Sequence, residues 1–229
     1  MIFDNNFNSL FIVLILFSIF YLFLEYKSSK VKFQASSSGN TYLVRQCSNS
    51  LDAANLLDTL AQNGNALITH LNAKLNDTSF VDYSEYKRFE HFIRRLTENY
   101  DSNTISESSP GNEYTSYTIN KGKKIVFCIR QKPPTGANPK VFGCGDLVDV
   151  NVMMFVFLHE LAHLGTCSIG HPPDFWCNMA FLLKVGADMD PPIYTKLDID
   201  NSTIPYCGIN ITNSPPMCGT EHVPSKSCS

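Results

Sequence analysis

The chain has 229 residues, 44% of them hydrophobic and 17% charged, which is enough for a domain with its own core and excludes a disordered tail. Its formal net charge is −3, and no run of five like charges occurs, so the basic footprint of a nucleic-acid binder is missing and no direct nucleic-acid partner is expected. None of the eight cysteines forms a C-x-x-C pair, which excludes the usual zinc-ribbon, ferredoxin and thioredoxin readings and leaves disulfides or buried thiols.

Residues 1–32 read as a transmembrane anchor with its flanks. Leu10–Leu24 carries no charge, and residues 7–26 have about the length a helix needs to cross a lipid bilayer, roughly 20 residues. A cleaved signal peptide fits less well, because no Lys or Arg precedes the apolar run and Asp4 does. Lys27, Lys30 and Lys32 follow it, so the expectation is a single-pass membrane protein with its large C-terminal part on the cytoplasmic side. Eight cysteines and the sequons at Asn76, Asn201 and Asn210 argue for an oxidising compartment instead.

Residues 33–50 are expected to form a tether and an entry strand, and residues 51–186 the main domain. Apolar residues from Ala53 to Leu71 recur at helical spacing, with Gly64 as the expected interruption, giving one helix or two short ones. Asp82 and Glu85 make a capping-box pattern ahead of a stripe at Tyr83, Tyr86, Phe89, Ile93 and Leu96, supported by the pair Glu90 and Arg94. Residues 101–112, polar and ending in Pro-Gly-Asn, read as a loop. Tyr114–Ile119 and Lys124–Arg130 flank Asn-Lys-Gly-Lys as a hairpin. The second of these strands, with Ile125, Phe127 and Ile129 alternating, fits either an exposed sheet edge able to receive a peptide or an ordinary core strand. Gln131–Asp146 is too rich in Pro and Gly for regular structure.

Val148–Leu164 follows, almost wholly apolar and therefore a buried helix, with Gly165 as its stop. A second helix fits Pro173–Val185, with Gly186 at its end. Residues 187–229, rich in Pro and Cys, read as an extended C-terminal extension.

The first of these helices carries His159-Glu160-Leu161-Ala162-His163, an H-E-x-x-H motif. Residues i and i+4 share a helix face, so both imidazoles can reach one ion while Glu160 stands beside it as a general base. Zinc in hydrolases takes three protein ligands and keeps one position open, so a third ligand is needed. His171, eight residues past His163 and beyond a Gly-containing turn, is the expected one; Asp174, Asp188 and Asp190 are carboxylate alternatives, and His171 could instead cap the helix that follows. His70 and His91 read as structural or surface residues, and His222 stands in the tail. Tyr194 and Tyr206 follow the ligand segment and could stabilise an oxyanion, but each also suits a core aromatic.

The stretch HELAHLGTCSIGHPPDFW resembles the zincin metallopeptidases and, among them, the WLM and SprT-like groups, in which H-E-x-x-H is followed by a further His and a Phe. The resemblance covers roughly residues 114–185. It implies a zincin-like α+β domain, one Zn²⁺ held by His159, His163 and His171, and Glu160 as the catalytic acid and base. Those groups act on DNA-bound proteins; an anchor and a Cys-rich tail depart from their pattern, so that substrate is not carried over. The anchor, SYTINKGKKIVFCIR, HELAH and the YCG tail together are similar to membrane proteins of large DNA viruses, which implies a virion membrane.

The functional expectation is a membrane-anchored zinc metallopeptidase acting on a protein or peptide substrate. The alternatives are a non-catalytic structural or interaction protein with a structural zinc site, and a metallohydrolase of a non-peptide substrate with a closed pocket. Proximity in the chain suggests the disulfides Cys128–Cys144, Cys167–Cys177 and Cys207–Cys218, with Cys167 otherwise a metal ligand or switch.

Overall fold

In the computed structural model, which describes residues 12–21, 31–110, 112, 114–131, 144–216 and 218, the chain separates into two units, Met1–Val31 and Lys32–Ser229. In the first, residues 12–21 form helix α1. Among the described residues no helix is long and apolar enough to cross a membrane. The anchor expected at 7–26, with the single-pass membrane location built on it, is corrected accordingly; the ends of that stretch, with Lys27 and Lys30, lie outside the described residues.

The second unit is an α+β domain. Its five-stranded sheet contains β1 (Val31–Ala35), β2 (Thr41–Arg45), β3 (Ile105–Glu107), β4 (Ser116–Ile119) and β5 (Lys124–Phe127) in the order β1-β2-β3-β5-β4. Strands β2 and β5 both pair parallel with β3, and β4 closes one edge antiparallel to β5. Strand β3 lies inside the stretch expected to be a loop. Its sequence, Ile-Ser-Glu, looks like surface because it buries two polar residues, and the carboxylate of the second is matched by groups far along the chain. Glu107 accepts from the Arg45 backbone N–H at 2.7 Å and from Arg130 Nε at 2.7 Å, and all three residues are buried. A buried carboxylate persists only with such partners.

The helices cover the sheet. Helix α2 (Ser50–Asn76) runs unbroken through Gly64, where a Cβ would stand 2.1 Å from the Tyr100 hydroxyl. Gly64 is therefore a point of close approach, not a break: the Tyr100 hydroxyl donates to the Ala61 carbonyl at 3.1 Å. The expected stripe from Tyr83 divides at Phe89 into α3 (Tyr83–Arg88) and α4 (Glu90–Asn99), and Asp82 makes no side-chain cap bond. Helix α5 (Val150–Gly165) packs against α4, α2 and α6 (Pro173–Asp188), which explains why it is apolar all round. Asp149 caps α5 by accepting from the backbone N–H groups of Asn151 and Val152.

The extension past α6 is more ordered than its composition suggests. Strands β6 (Ile204–Tyr206) and β7 (Ile209–Ile211) form an antiparallel hairpin across Cys207-Gly208, both at positive φ. Disulfides join Cys47 to Cys144, Cys128 to Cys207 and Cys177 to Cys218, over separations of 97, 79 and 41 residues. Cys167 is disulfide-bonded as well, and no described cysteine is free. All three pairs suggested by chain proximity are thus overturned, and Cys167 is no metal ligand: the fold brings together segments that the sequence keeps far apart.

Candidate metal centre

Helix α5 forms the floor of the site. Its 3.6-residue period puts His159 and His163 on one face, and the turn through Gly170, at φ +80°, returns the chain so that His171 meets both. His171 Nε2 lies 3.1 Å from His159 Nε2 and 3.2 Å from His163 Nε2. Zn–N bonds of 2.0–2.1 Å in a tetrahedron separate the nitrogens by roughly 3.3 Å. The observed spacings are close to such an edge, so the residues fit a tetrahedral cation. Among the described residues these three form a group that could hold a metal ion.

Electrostatics agree with the geometry. Burial, with the neighbouring imidazoles, holds His159 down to about 3 and His163 down to about 4, the latter helped by Lys121; burial also lowers His171. All three rings are therefore neutral at pH 7, the state that offers a lone pair to a cation. Aromatic packing orients them: Phe175 stacks on His163 at 4.3 Å and meets the edge of His159 at 4.9 Å, while Trp176 stacks on His171 at 5.4 Å.

Glu160 is 4% exposed, and its Oε2 accepts from Thr118 Oγ1 of β4 at 2.9 Å. Burial pushes its carboxyl up to about 7 against the opposing pull of that hydrogen bond. Such a group can take and return a proton near neutrality. It lines, with the three histidines, a cleft of about 730 Å³. Strand β4 forms one wall through Thr115–Thr118, and the β6–β7 hairpin contributes Tyr206, Ile209 and Ile211. The sheet edge beside the three histidines is thus β4, whereas β5 lies inside the sheet.

The remaining residues singled out from sequence are placed apart from this group. Asp174 accepts from Ser168 Oγ at 2.8 Å and so braces the ligand loop, while Asp188 and Asp190 are exposed at the far end of α6. Helix α6 has Pro172, not His171, at its N-cap. His70 meets the Tyr86 hydroxyl at 3.3 Å, His91 is exposed on α4, and His222 lies outside the described residues. Tyr194 packs against Phe155, away from the cleft; Tyr206 lines it, its hydroxyl bonded to Ser116 and held above its ordinary value by burial.

Sequence reasoning missed Thr118 and Lys121. Thr118 could have been found as the inward position of a strand placed before the motif helix. Lys121, in the β4–β5 turn, carries no local signal: its ammonium caps the end of α5 and the ligand loop by donating to the carbonyls of His163, Thr166 and Ser168 at 3.2, 2.8 and 3.3 Å.

No family model matches the chain. No solved structure matches it either, which removes the support for a zincin-like fold that the motif implied; the domain stands as α+β on its own coordinates. An uncharacterized protein of Acanthamoeba polyphaga mimivirus is 30% identical over 194 residues, covering 84% of this chain and 88% of that protein.

Proposed function

This chain belongs to the same family as that uncharacterized mimivirus protein, and we propose that it is a zinc-dependent peptidase. The observation that carries the reading is the convergence of three neutral imidazoles beside a buried carboxyl, held by Thr118, at the floor of an open cleft. His159, His163 and His171 would hold one zinc ion. When bound, zinc supplies Lewis acidity, acidifying water and polarising a carbonyl. Glu160 then accepts the proton of the attacking water and returns it to the leaving amine, a role its raised carboxyl value suits. Thr118 holds that carboxyl in one orientation.

Two observations support a peptide substrate over the alternatives. A structural zinc site would close with a fourth protein ligand, whereas the group comprises three residues among those described. A closed pocket would suit a small non-peptide substrate, whereas here an edge strand, β4, lines the cleft and presents backbone groups along it. The test is Glu160→Gln. Loss of hydrolysis of an unfolded protein substrate by at least about a hundredfold, the scale of general-base catalysis, with zinc content unchanged, is the expected result. Equal hydrolysis by both chains would remove Glu160 from the reaction.

A further inference from the structure

The cleft's second wall has a composition that the reaction itself does not require. In β7 the period-two alternation puts Ile209 and Ile211 on one face and Asn210 on the other. The register pairs Tyr206 with Ile209 and Ile204 with Ile211, so these four side chains share a face. Ile204 and Tyr206 are buried, whereas Ile209 is 52% exposed and looks into the cleft. Ile169, in the loop between α5 and His171, is 94% exposed and also lines the cleft, with Trp176 beside His171.

This wall is braced. The Cys128–Cys207 disulfide fastens the hairpin's turn to the end of β5, and the Gln131 amide grips both sides of it, donating to the Pro205 carbonyl at 3.1 Å and accepting from the Cys207 N–H at 3.2 Å. The Tyr206 hydroxyl is bonded to Ser116 of β4 across the cleft floor. Ile209, held in water on a fixed hairpin beside the half-buried Ile211, cannot bury itself by local rearrangement, so this apolar area beside the three histidines is available to what enters the cleft. Among the described lining residues the charged groups are Glu160 and Lys121, and Lys121 is engaged with three carbonyls.

We infer that the cleft selects extended polypeptide segments carrying a bulky apolar side chain next to the bond presented to the histidine centre, that side chain lodging between Ile169 and Trp176 on one side and Ile209 and Ile211 on the other. This deepens the peptidase reading and rests on it for the identity of the ligand as a peptide; its test is a binding measurement that does not require turnover.

The full chain, loaded with zinc, is titrated into fluorescein-labelled peptides in which one backbone amide is replaced by CH₂–NH so that they cannot be hydrolysed. The residue beside that linkage is Leu in one peptide and Asp in the other. The Leu peptide binds tighter by roughly tenfold to a hundredfold, the scale of burying one leucine side chain. Ile209→Asp and Ile211→Asp abolish that preference while keeping zinc content, and Asn210→Asp, on the opposite face of the same strand, retains it. Equal binding of the two peptides, absence of binding, or a preference that survives both isoleucine substitutions overturns the inference. If the preference holds but the corresponding amide peptides are not cleaved, the substrate class stands and the hydrolytic reading falls.

Discussion

The Lys121 ammonium donates to the Thr166 carbonyl at 2.8 Å, tying the β4–β5 turn to the segment that carries the third histidine. Two further carbonyls, of His163 and Ser168, receive the same ammonium. A cation at a helix C-terminus satisfies carbonyls that have no partner within the helix. Lys121→Met keeps the chain's length but leaves those carbonyls without their donor, so His171 loses part of its positioning. Zinc affinity, measured by competition with a chromophoric chelator, falls by roughly tenfold, the low end for groups that orient metal ligands. Lys121→Arg restores part of it. Unchanged affinity in Lys121→Met would show that the loop is set without this contact.

Thr118 and Glu160 form a second relationship of this kind, at 2.9 Å across the cleft floor. Thr118→Val preserves shape and removes the donor; kcat should fall about tenfold, as expected for losing a hydrogen bond to a carboxylate, with zinc content and KM unchanged. Thr118→Ser, which keeps the hydroxyl, should recover most of the rate. A valine variant with wild-type kcat would mean that packing alone aims Glu160.

The opposite end of the sheet contains a titrating cluster. Asp58 of α2 accepts from Ser38 Oγ at 2.6 Å, Asn40 Nδ2 at 2.9 Å and the Tyr42 hydroxyl at 2.9 Å, fastening the β1–β2 connection to the helix. Burial pushes its carboxyl up, but these hydrogen bonds, with one from Ser36, outweigh it and hold the group below its ordinary value. A depressed folded value means stability that is fully present above the unfolded value, about 3.9, and is lost as pH falls through the folded one. Urea unfolding at pH 7 should therefore show Asp58→Asn less stable than wild type by about 1–3 kcal/mol. The gap should close as pH drops below about 4; a gap that stays constant well below that pH would contradict the assignment.

The Cys128–Cys207 bridge closes a span of 79 residues. Constraining the unfolded chain over that length is worth about 4 kcal/mol in the loop-entropy picture. The double variant Cys128→Ala, Cys207→Ala should lose stability on that scale in oxidising urea titrations. It should also lose the preference for apolar peptides before it loses zinc, because the bridge holds the hairpin wall and none of the three histidines. Loss of zinc at the same rate would place the bridge in the metal centre's own support.

What could be read from the chain, and what could not, divides along physical lines. The H-E-x-x-H spacing and the short return to His171 are local, so the convergence of three imidazoles was legible before any coordinates. The apolar runs at α5 and α6 and the hairpin signal between β4 and β5 were legible for the same reason, since the residues that carry each are contiguous in the chain. Strand β3 was not, because Ser106 and Glu107 are polar residues that the fold buries, and the partners of Glu107, Arg45 and Arg130, lie some distance away in the chain. The β6–β7 hairpin was overlooked although Cys207-Gly208 between Ile-Pro-Tyr and Ile-Asn-Ile has the form of a two-residue turn. Disulfide partners were set by the fold and not by chain distance. The apolar run near the N-terminus, by contrast, suggested a membrane span, whereas among the described residues no helix is long and apolar enough to cross a membrane.

The three-histidine metal centre is tested most directly by counting zinc per chain in the full-length protein and in His171→Ala, with X-ray absorption at the zinc edge on the wild type. The expected result is about one zinc per wild-type chain, with three nitrogen ligands at 2.0–2.1 Å, and substantially less zinc in His171→Ala. A wild-type chain that takes up no zinc, or a His171→Ala chain that holds as much as the wild type, would contradict the site.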